Sequence, residues 1–421
     1  MGCFSCQLFV DGYRLPRRES EARECCTQSF KTIRSLERFL IVMRQPDSKC
    51  YWFLVGILVF TLNVGVPVQA AGRLFQSEKV TFRATTVIAG LEHPWAVAFL
   101  PNDEMLITER PGRLRWYENG KLHQVIGLPE ITAERQGGLL DIALHPNFPV
   151  NQTVCFSYSA TGDGGVGTEI ACAEFDRGRL LDLRVIFRAV PKSRGGVHFG
   201  SRLLFGPDGH LYATLGERGV RPQAQNLGTH PGSVVRITEK GSVPPDNPFV
   251  GQKNAQPEIF TYGNRNPQGI ALELSGNRIW MHEHGPRGGD ELNILQSGAN
   301  YGWPVISFGK EYWGPVRVGE GTHKPGMQQP VYYWVPSIAP SGMTFYRGDR
   351  IPDWRGNLFV GSLKFELLVR LEIDGDQVVN EERLLIGTFG RIRDVREGLD
   401  GLLYLLTDEK DGKLIRLEPA D

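Results

Sequence analysis

Short apolar runs and turns rich in Pro, Asp, Asn and Gly alternate along most of this chain, and one combination of the two recurs. Leu100-Pro-Asn-Asp-Glu-Met-Leu-Ile-Thr is followed by His145-Pro-Asn-Phe with Val154-Cys-Phe-Ser-Tyr, then by Gly206-Pro-Asp-Gly-His-Leu-Tyr-Ala-Thr. The series continues at Leu274-Ser-Gly-Asn-Arg-Ile-Trp-Met, Trp354-Arg-Gly-Asn-Leu-Phe-Val-Gly and Leu399-Asp-Gly-Leu-Leu-Tyr-Leu-Leu-Thr, giving six copies at intervals of 45 to 80 residues. A second strand often follows, as in Gly112-Arg-Leu-Arg-Trp-Tyr and Gly412-Lys-Leu-Ile-Arg-Leu. A sheet made from such a unit cannot bury both faces alone, whereas radial stacking of six buries them and leaves only short edges. The pattern predicts an all-β, six-bladed β-propeller; a pair of packed sheets in a sandwich is the competing arrangement. The longer intervals imply inserted loops near 220–260 and 300–340, placed on the face where propellers build their sites. The strand at Lys413-Leu-Ile-Arg-Leu-Glu should close the ring by pairing with Val80-Thr-Phe-Arg-Ala-Thr-Thr-Val-Ile.

One hairpin can be placed more finely. Val154-Cys-Phe-Ser-Tyr and Thr168-Glu-Ile-Ala-Cys-Ala-Glu-Phe flank a turn at Thr161-Gly-Asp-Gly-Gly-Val-Gly, so Cys155 and Cys172 should face each other on adjacent strands. A non-hydrogen-bonded pair brings the Cα atoms to about 4.5 Å, close to the short limit for a disulfide. Its oxidation is expected to contribute little to stability and nothing to catalysis.

The start of the chain does not follow the repeat. No charged residue occurs from Cys50 to Gly72, Arg44 and Lys49 precede this apolar stretch, and Val68-Gln69-Ala70 follows its core. A basic start, an apolar middle and a small-residue exit read as a signal peptide over residues 43–70, with Met43 its natural beginning. A membrane anchor is the alternative, since the stretch is long enough to span with tilt. Residues 1–42 read as a mis-annotated extension, and residues 71–421 as the propeller, exported to the periplasm or secreted, with a new N-terminus near Ala71.

Composition narrows the partners. The 47 basic and 47 acidic side chains balance, which gives no electrostatic footprint for a nucleic acid. Five of the seven cysteines precede residue 71, so the propeller is neither a disulfide scaffold nor a thiolate metal site. Cys-x-x-Cys-His is absent, and no Gly-x-Gly-x-x-Gly lies between a strand and a helix, which argues against covalent haem and nicotinamide.

Four segments are too polar and glycine-rich for blade strands: Arg135-Gln-Gly-Gly-Leu-Leu-Asp, His198-Phe-Gly-Ser-Arg-Leu with Leu215-Gly-Glu-Arg-Gly, Tyr262-Gly-Asn-Arg-Asn-Pro-Gln-Gly, and His282-Glu-His-Gly-Pro-Arg-Gly-Gly-Asp-Glu-Leu-Asn. Gly298-Ala-Asn-Tyr-Gly-Trp-Pro, Pro336-Ser-Ile-Ala-Pro-Ser-Gly, Ser362-Leu-Lys and Arg391-Ile-Arg-Asp-Val follow in order. Taken together, these eight segments resemble the PQQ-dependent soluble aldose dehydrogenases of the glucose/sorbosone dehydrogenase family, over about Leu91 to Pro419.

The resemblance implies oxidation of an aldose C1 hydroxyl to a lactone, with hydride passing to pyrroloquinoline quinone (PQQ) and electrons then leaving to an external acceptor. It implies His198 as general base, Arg265 and Asn266 on the quinone, and Lys364, Arg391 and Arg393 on the cofactor's carboxylates. An imidazole neutral near pH 7 suits the first role. Arg391 and Arg393 alternate across Ile392, and two like charges on one strand face are costly without an anion between them. Calcium is implied at the carbonyls of Gly285 and Pro286, with a second ion at Glu291 and Tyr301, in keeping with the hard oxygen donors of these loops. Zinc held by His282, His284 and Asp290 is the competing metal, though no third histidine has suitable spacing. Gln136 and Tyr312 are the implied sugar contacts. The glucose-specialised members differ most around the insertion bearing Tyr312 and at Tyr332 to Val335, so no glucose preference is transferred. A calcium-dependent lactonase, which would not need the Lys364, Arg391 and Arg393 cluster, and a non-catalytic sugar-binding propeller are the rival functions. A monomer or homodimer is expected.

Overall fold

A computed structural model describes residues 72–420; the segments read above as an extension, residues 1–42, and as a signal peptide or anchor, residues 43–70, lie outside the described residues. No helix among the described residues is long and apolar enough to cross a membrane.

Six antiparallel sheets make up the described chain. The first blade comprises Pro94–Phe99, Met105–Glu109, Arg113–Glu118 and Lys121–Gln124, and the second Leu139–Leu144, Thr153–Gly162, Gly165–Asp176 and Arg179–Arg188. The third, fourth and fifth begin at Leu203–Phe205, Pro267–Leu272 and Pro340–Phe345. The closing blade takes Ile392–Glu397, Leu403–Thr407 and Gly412–Pro419 from one end of the chain, and Thr81–Leu91 and Arg73–Gln76 from the other. Ala84 pairs with Leu417 and Thr86 with Ile415, which is the closure expected from the sequence. The six innermost strands pack side by side in an unbroken cycle, so the ring is a propeller and not a sandwich.

Each of the six turn–strand copies turns out to be the link from an innermost strand to its neighbour. Two of them share a device. Asp208 and Asp400 each accept a bond from the main-chain N–H two residues on and from a tyrosine hydroxyl four residues on, Tyr212 or Tyr404. Gly209 and Gly401, at φ 76° and 71°, supply the left-handed residue these turns require.

Burial follows position in the blade. The inner strand Pro94–Phe99 is buried at every residue but the last, whereas the outer strand Gln377–Leu384 is mostly exposed or half-buried. A strand covered on both faces reads as a continuous apolar run, which is why the inner strands show little alternation. Five of the six inner strands also break register over their opening residues, at Pro94/Ala96, Leu139/Ile142, Pro267/Gly269, Pro340/Met343 and Ile392/Asp394. Bulges bend a strand and re-aim its side chains, and all five sit at the same end of the ring.

Cys155 lies opposite Cys172, with Cα atoms 4.0 Å apart and a disulfide between them. The strands run further than the apolar pattern indicated, to Gly162 and from Gly165, leaving only Asp163 and Gly164 as the turn. Polar Thr161 and Gly167 hid the extension, yet the register was unaffected because strands lengthen symmetrically about a hairpin turn.

Candidate active site

All inner strands run in the same direction, so the segments leading into them gather on one face. There Gln136, His198, Arg265, Asn266, Ala339, Arg391 and Arg393 line a single cavity of about 370 Å³ at the axis. The turns between second and third strands add Arg110, His284, Leu363 and Asp408, and Trp95 adds an indole.

His198 occupies the left-handed region at φ 54° and is gripped from several sides. Its Nδ1 lies 2.6 Å from Oε1 of Glu217, a carboxylate only 1% exposed. Its main-chain N–H donates to Oε1 of Gln136 at 2.8 Å, and Gly200 N–H donates to Oδ1 of Asn266 at 3.1 Å. Nε2 has no protein partner among the described residues and is the ring nitrogen left for the cavity. Burial, opposed by the Glu217 hydrogen bond and reinforced by Arg265, holds the imidazole below its ordinary 6.5. A base must be unprotonated to work, so a value below 6.5 keeps it competent to more acid pH. The acid limb of a kcat/KM profile should therefore have its midpoint below pH 6.5; a midpoint above that value would remove His198 as the titrating base.

Opposite charges are organised around Asp408. Its Oδ2 is 2.6 Å from Nη2 of Arg393 and 3.7 Å from Nη2 of Arg391, while Oδ1 is 3.1 Å from Nδ1 of His93 and 4.0 Å from Nη2 of Arg110. Burial alone would raise this carboxyl; the Arg393 charge and hydrogen bond, with Arg110, outweigh it and hold it far below the carboxylate range. Asp408 is thus the anion that two same-side arginines demand. Arg135, Arg265 and Arg110 bring the arginines on the lining to five, against one carboxylate.

Arg265 donates from Nη1 to the carbonyls of His284 and Gly285, at 3.1 and 2.9 Å, and its Nη2 lies 3.4 Å from the Tyr312 hydroxyl. Tyr312 arrives from the long 295–331 connection, which is tied to the preceding blade by Tyr301 N–H to Tyr262 O at 2.9 Å and Trp303 N–H to Gly263 O at 2.8 Å. The other insertion, expected near 220–260, contributes no residue to the cavity lining, although its first part ties to the Tyr312-bearing connection through Arg221 and Glu311 at 2.6 Å. Instead Asp246 and Asn247 bind Arg236 of the third blade.

Lys364 stands apart from its expected companions. It is exposed, its ammonium lies 5.1 Å from the Phe365 ring centroid, and Leu363 takes the place on the lining.

A second, very small cavity of about 10 Å³ is bounded by Arg265, Glu283, His284, Gly285, Glu291 and Tyr301. Pro286 does not border it. Burial pushes Glu283 up to about 7, against hydrogen bonds from Asn264 and the Arg265 N–H. Glu291 is raised well above its usual range by burial and then by the Glu283 charge. Two buried carboxylates with like charges facing each other form the kind of cradle that suits a hard cation. Zinc fits poorly. All the acceptor capacity Asp290 shows is spent on Gly285 N–H, the Ser337 hydroxyl, Ile338 N–H and Ala339 N–H. His284 Nε2 is 2.5 Å from the Pro340 carbonyl. For any metal, calcium included, no three His, Cys, Asp or Glu side chains among the described residues converge as a ligand group.

The sequence pattern of the Glucose / Sorbosone dehydrogenase family matches residues 91–416. The chain belongs to that family. It is 46% identical over 338 residues to the Aldose sugar dehydrogenase YliI of Escherichia coli, covering 79% of this chain and 91% of the relative. Among solved structures, the apo-form soluble aldose sugar dehydrogenase from Escherichia coli superposes with a TM-score of 0.78 at 43% identity, covering 80% of this chain and all of the other. The PQQ-bound aldose sugar dehydrogenase of Streptomyces coelicolor gives 0.66 at 29% identity, covering 79% and 96%. Membership makes the protein an oxidoreductase acting on sugars, with an aldose as its substrate.

Glu217, Arg110, Asp408 and Trp95 belong to this site and were not singled out from sequence. Glu217 had a visible signal, lying within Leu215-Gly-Glu-Arg-Gly directly after a strand.

Proposed function

We propose that the protein oxidises the C1 hydroxyl of aldoses to lactones with PQQ and calcium, and passes the electrons to an external acceptor. The observation that carries this reading is the cavity itself: His198 offers a free, neutral ring nitrogen into a chamber lined by five arginines and a single carboxylate. Such a surplus of cations suits a planar polyanion, and an ortho-quinone with three carboxylates is one. Arg391, Arg393 and Arg110 would hold the carboxylates, and Arg265 and Asn266 the quinone edge. Lys364 would join them only by turning away from Phe365.

When bound, PQQ supplies a two-electron acceptor for the hydride, and calcium the Lewis acid that polarises it. The protein's own residues do the rest. His198 takes the C1 hydroxyl proton at Nε2, and Glu217 fixes the tautomer and stabilises the imidazolium so formed. Arg265 stabilises negative charge where it develops, from a position fixed by two carbonyl hydrogen bonds. Gln136 is engaged by the His198 main chain through Oε1, which leaves its amide nitrogen for the sugar; Tyr312 stands at the mouth.

For calcium, the Gly285 carbonyl already faces Arg265, and its second lone pair is the donor on offer; the Pro286 carbonyl is the other. Glu291, with Glu283 beside it, is the anionic part of the second position, and Tyr301 borders it. A disulfide within the second blade is in keeping with the periplasmic or secreted location proposed for residues 71–421.

Reconstitution tests the whole reading. The chelated, dialysed protein should reduce no dye with any aldose, and should do so only when PQQ and calcium are both restored. Dye reduction that persists after chelation and dialysis would overturn the quinone reading, and lactone hydrolysis that needs calcium but not PQQ would point to the lactonase instead.

A further inference from the structure

Arg218 is a buried cation that the chemistry above does not use. It is 3% exposed, and no carboxylate among the described residues lies within ion-pairing distance of its guanidinium. Leaving an arginine dry and unpaired is costly, so hydrogen bonds must offset its burial. Two go to the main chain leading into His198, Nη1 donating to the Val197 carbonyl and Nη2 to the Gly195 carbonyl; Nη2 also lies 3.4 Å from the Val166 carbonyl, and Nε has no partner among the described residues. The guanidinium carbon also lies 3.3 Å from the centroid of the Phe199 ring. Arg218 therefore touches residues on both sides of His198 without touching His198 itself.

We propose that Arg218 is a positioning residue for the base, clamping the backbone that presents His198 while its neighbour Glu217 orients the ring. The inference rests on His198 being the base. Consecutive residues of one turn thus divide the work. Glu217 N–H is itself tied to the Arg265 carbonyl at 2.9 Å, so the turn carrying both is anchored to the other side of the cavity.

Close backbone approach supports the clamp. A side chain at Gly195 would collide with the Arg218 carbonyl, and one at Gly216 with the carbonyl of His198. The two segments are therefore packed main chain against main chain. His198 sits at φ 54°, in a region where a residue other than glycine persists only when its surroundings hold it there. The Gly195 and Val197 carbonyls are the acceptors immediately upstream, and a planar fork stacked on Phe199 can bind both at once. A lysine ammonium cannot, because it is a point donor with no plane to stack.

The test is Arg218→Met, measured with PQQ and calcium bound, alone and combined with His198→Ala. In the otherwise native protein kcat should fall about 10- to 100-fold, the scale of a small misplacement of a reacting group. KM for the aldose and the PQQ affinity from spectrophotometric titration should stay within about 3-fold, since the clamp contacts neither. In the His198→Ala background Arg218→Met should cost nothing further, because it acts only through the base. An unchanged kcat in R218M, a loss borne by KM, or an equal loss in both backgrounds would overturn the proposal. Near-normal turnover by H198A alone would overturn instead the reading of His198 on which it rests. Should R218M not fold, Arg218→Lys carries the same measurements, with a smaller kcat loss expected and the same outcomes decisive.

Discussion

His198→Ala should lower kcat by about two to four orders of magnitude while leaving PQQ affinity nearly unchanged, the usual range when a general base is removed. The argument is geometric before it is electrostatic. Nδ1 is committed to Glu217 at 2.6 Å, so one tautomer is fixed and Nε2 is the nitrogen that faces the cavity. Burial lowers the ring's pKa from its ordinary 6.5, against the Glu217 hydrogen bond, and so favours the unprotonated form that a base needs. The cofactor's proposed contacts run to arginines and to Asn266, whose side chain reaches Gly200 rather than the imidazole. Cofactor titration followed by single-turnover reduction separates binding from chemistry; a variant that binds PQQ and reduces it at the native rate would end this assignment.

Much of this was legible in the sequence, for identifiable reasons. The six turn–strand copies specify local geometry through side chains such as Asp208 and Asp400, which bind the backbone two residues away, so a linear reading finds them. Hairpin register around Cys155 and Cys172 was legible because it depends only on counting from a turn. Arg110 and Asp408 were not. Each follows an ordinary strand residue, Glu109 or Thr407, and they meet only because ring closure sets the first blade beside the closing one. Arg391 and Arg393 both line the cavity, as alternation across Ile392 would place them, although the strand breaks register between Ile392 and Asp394. Asp408 lies within ion-pairing distance of both guanidinium groups. For Lys364 the linear reading offers no direction, since in a turn a neighbour's orientation is not set by periodicity; Leu363 lines the cavity while Lys364 is exposed.

Arg202→Met should destabilise the fold by about 3–5 kcal/mol, the cost of removing one partner from a buried charge cluster. Arg202 is 2% exposed beneath the cavity. Its Nη1 lies 2.7 Å from Asp394 and 3.5 Å from Asp141, Nε donates to the Gln268 carbonyl at 2.8 Å, and Nη2 to the Arg393 carbonyl at 2.9 Å. It also lies 4.0 Å from the Trp95 ring centroid. Four blades and the closing blade are joined through this one side chain. Arg396 shares both carboxylates, at 2.5 Å to Asp141 and 3.0 Å to Asp394, and would be left to balance two buried anions alone. Equilibrium urea unfolding measures the difference; a loss under about 1 kcal/mol would mean that Arg396 and water suffice.

The seam in the closing blade has a bearing on how the protein comes into being. Thr81–Leu91 is made early and its partner Gly412–Pro419 more than 300 residues later, so the ring stays open until nearly the whole propeller has been synthesised. Contacts this far apart in the chain form slowly, since loop closure must precede any gain from them. Until then the inner strand of the first blade lacks the neighbour that Ile392–Glu397 provides, and Arg110 lacks Asp408. A chain cut short before Gly412 therefore leaves an unpaired edge on Thr81–Leu91, open to other strands and readily recognised by proteases. The same hydrogen bonds that fasten the finished ring thus act as proofreading for completeness: only a chain with both halves of the seam can bring Arg110 to Asp408, Arg391 and Arg393.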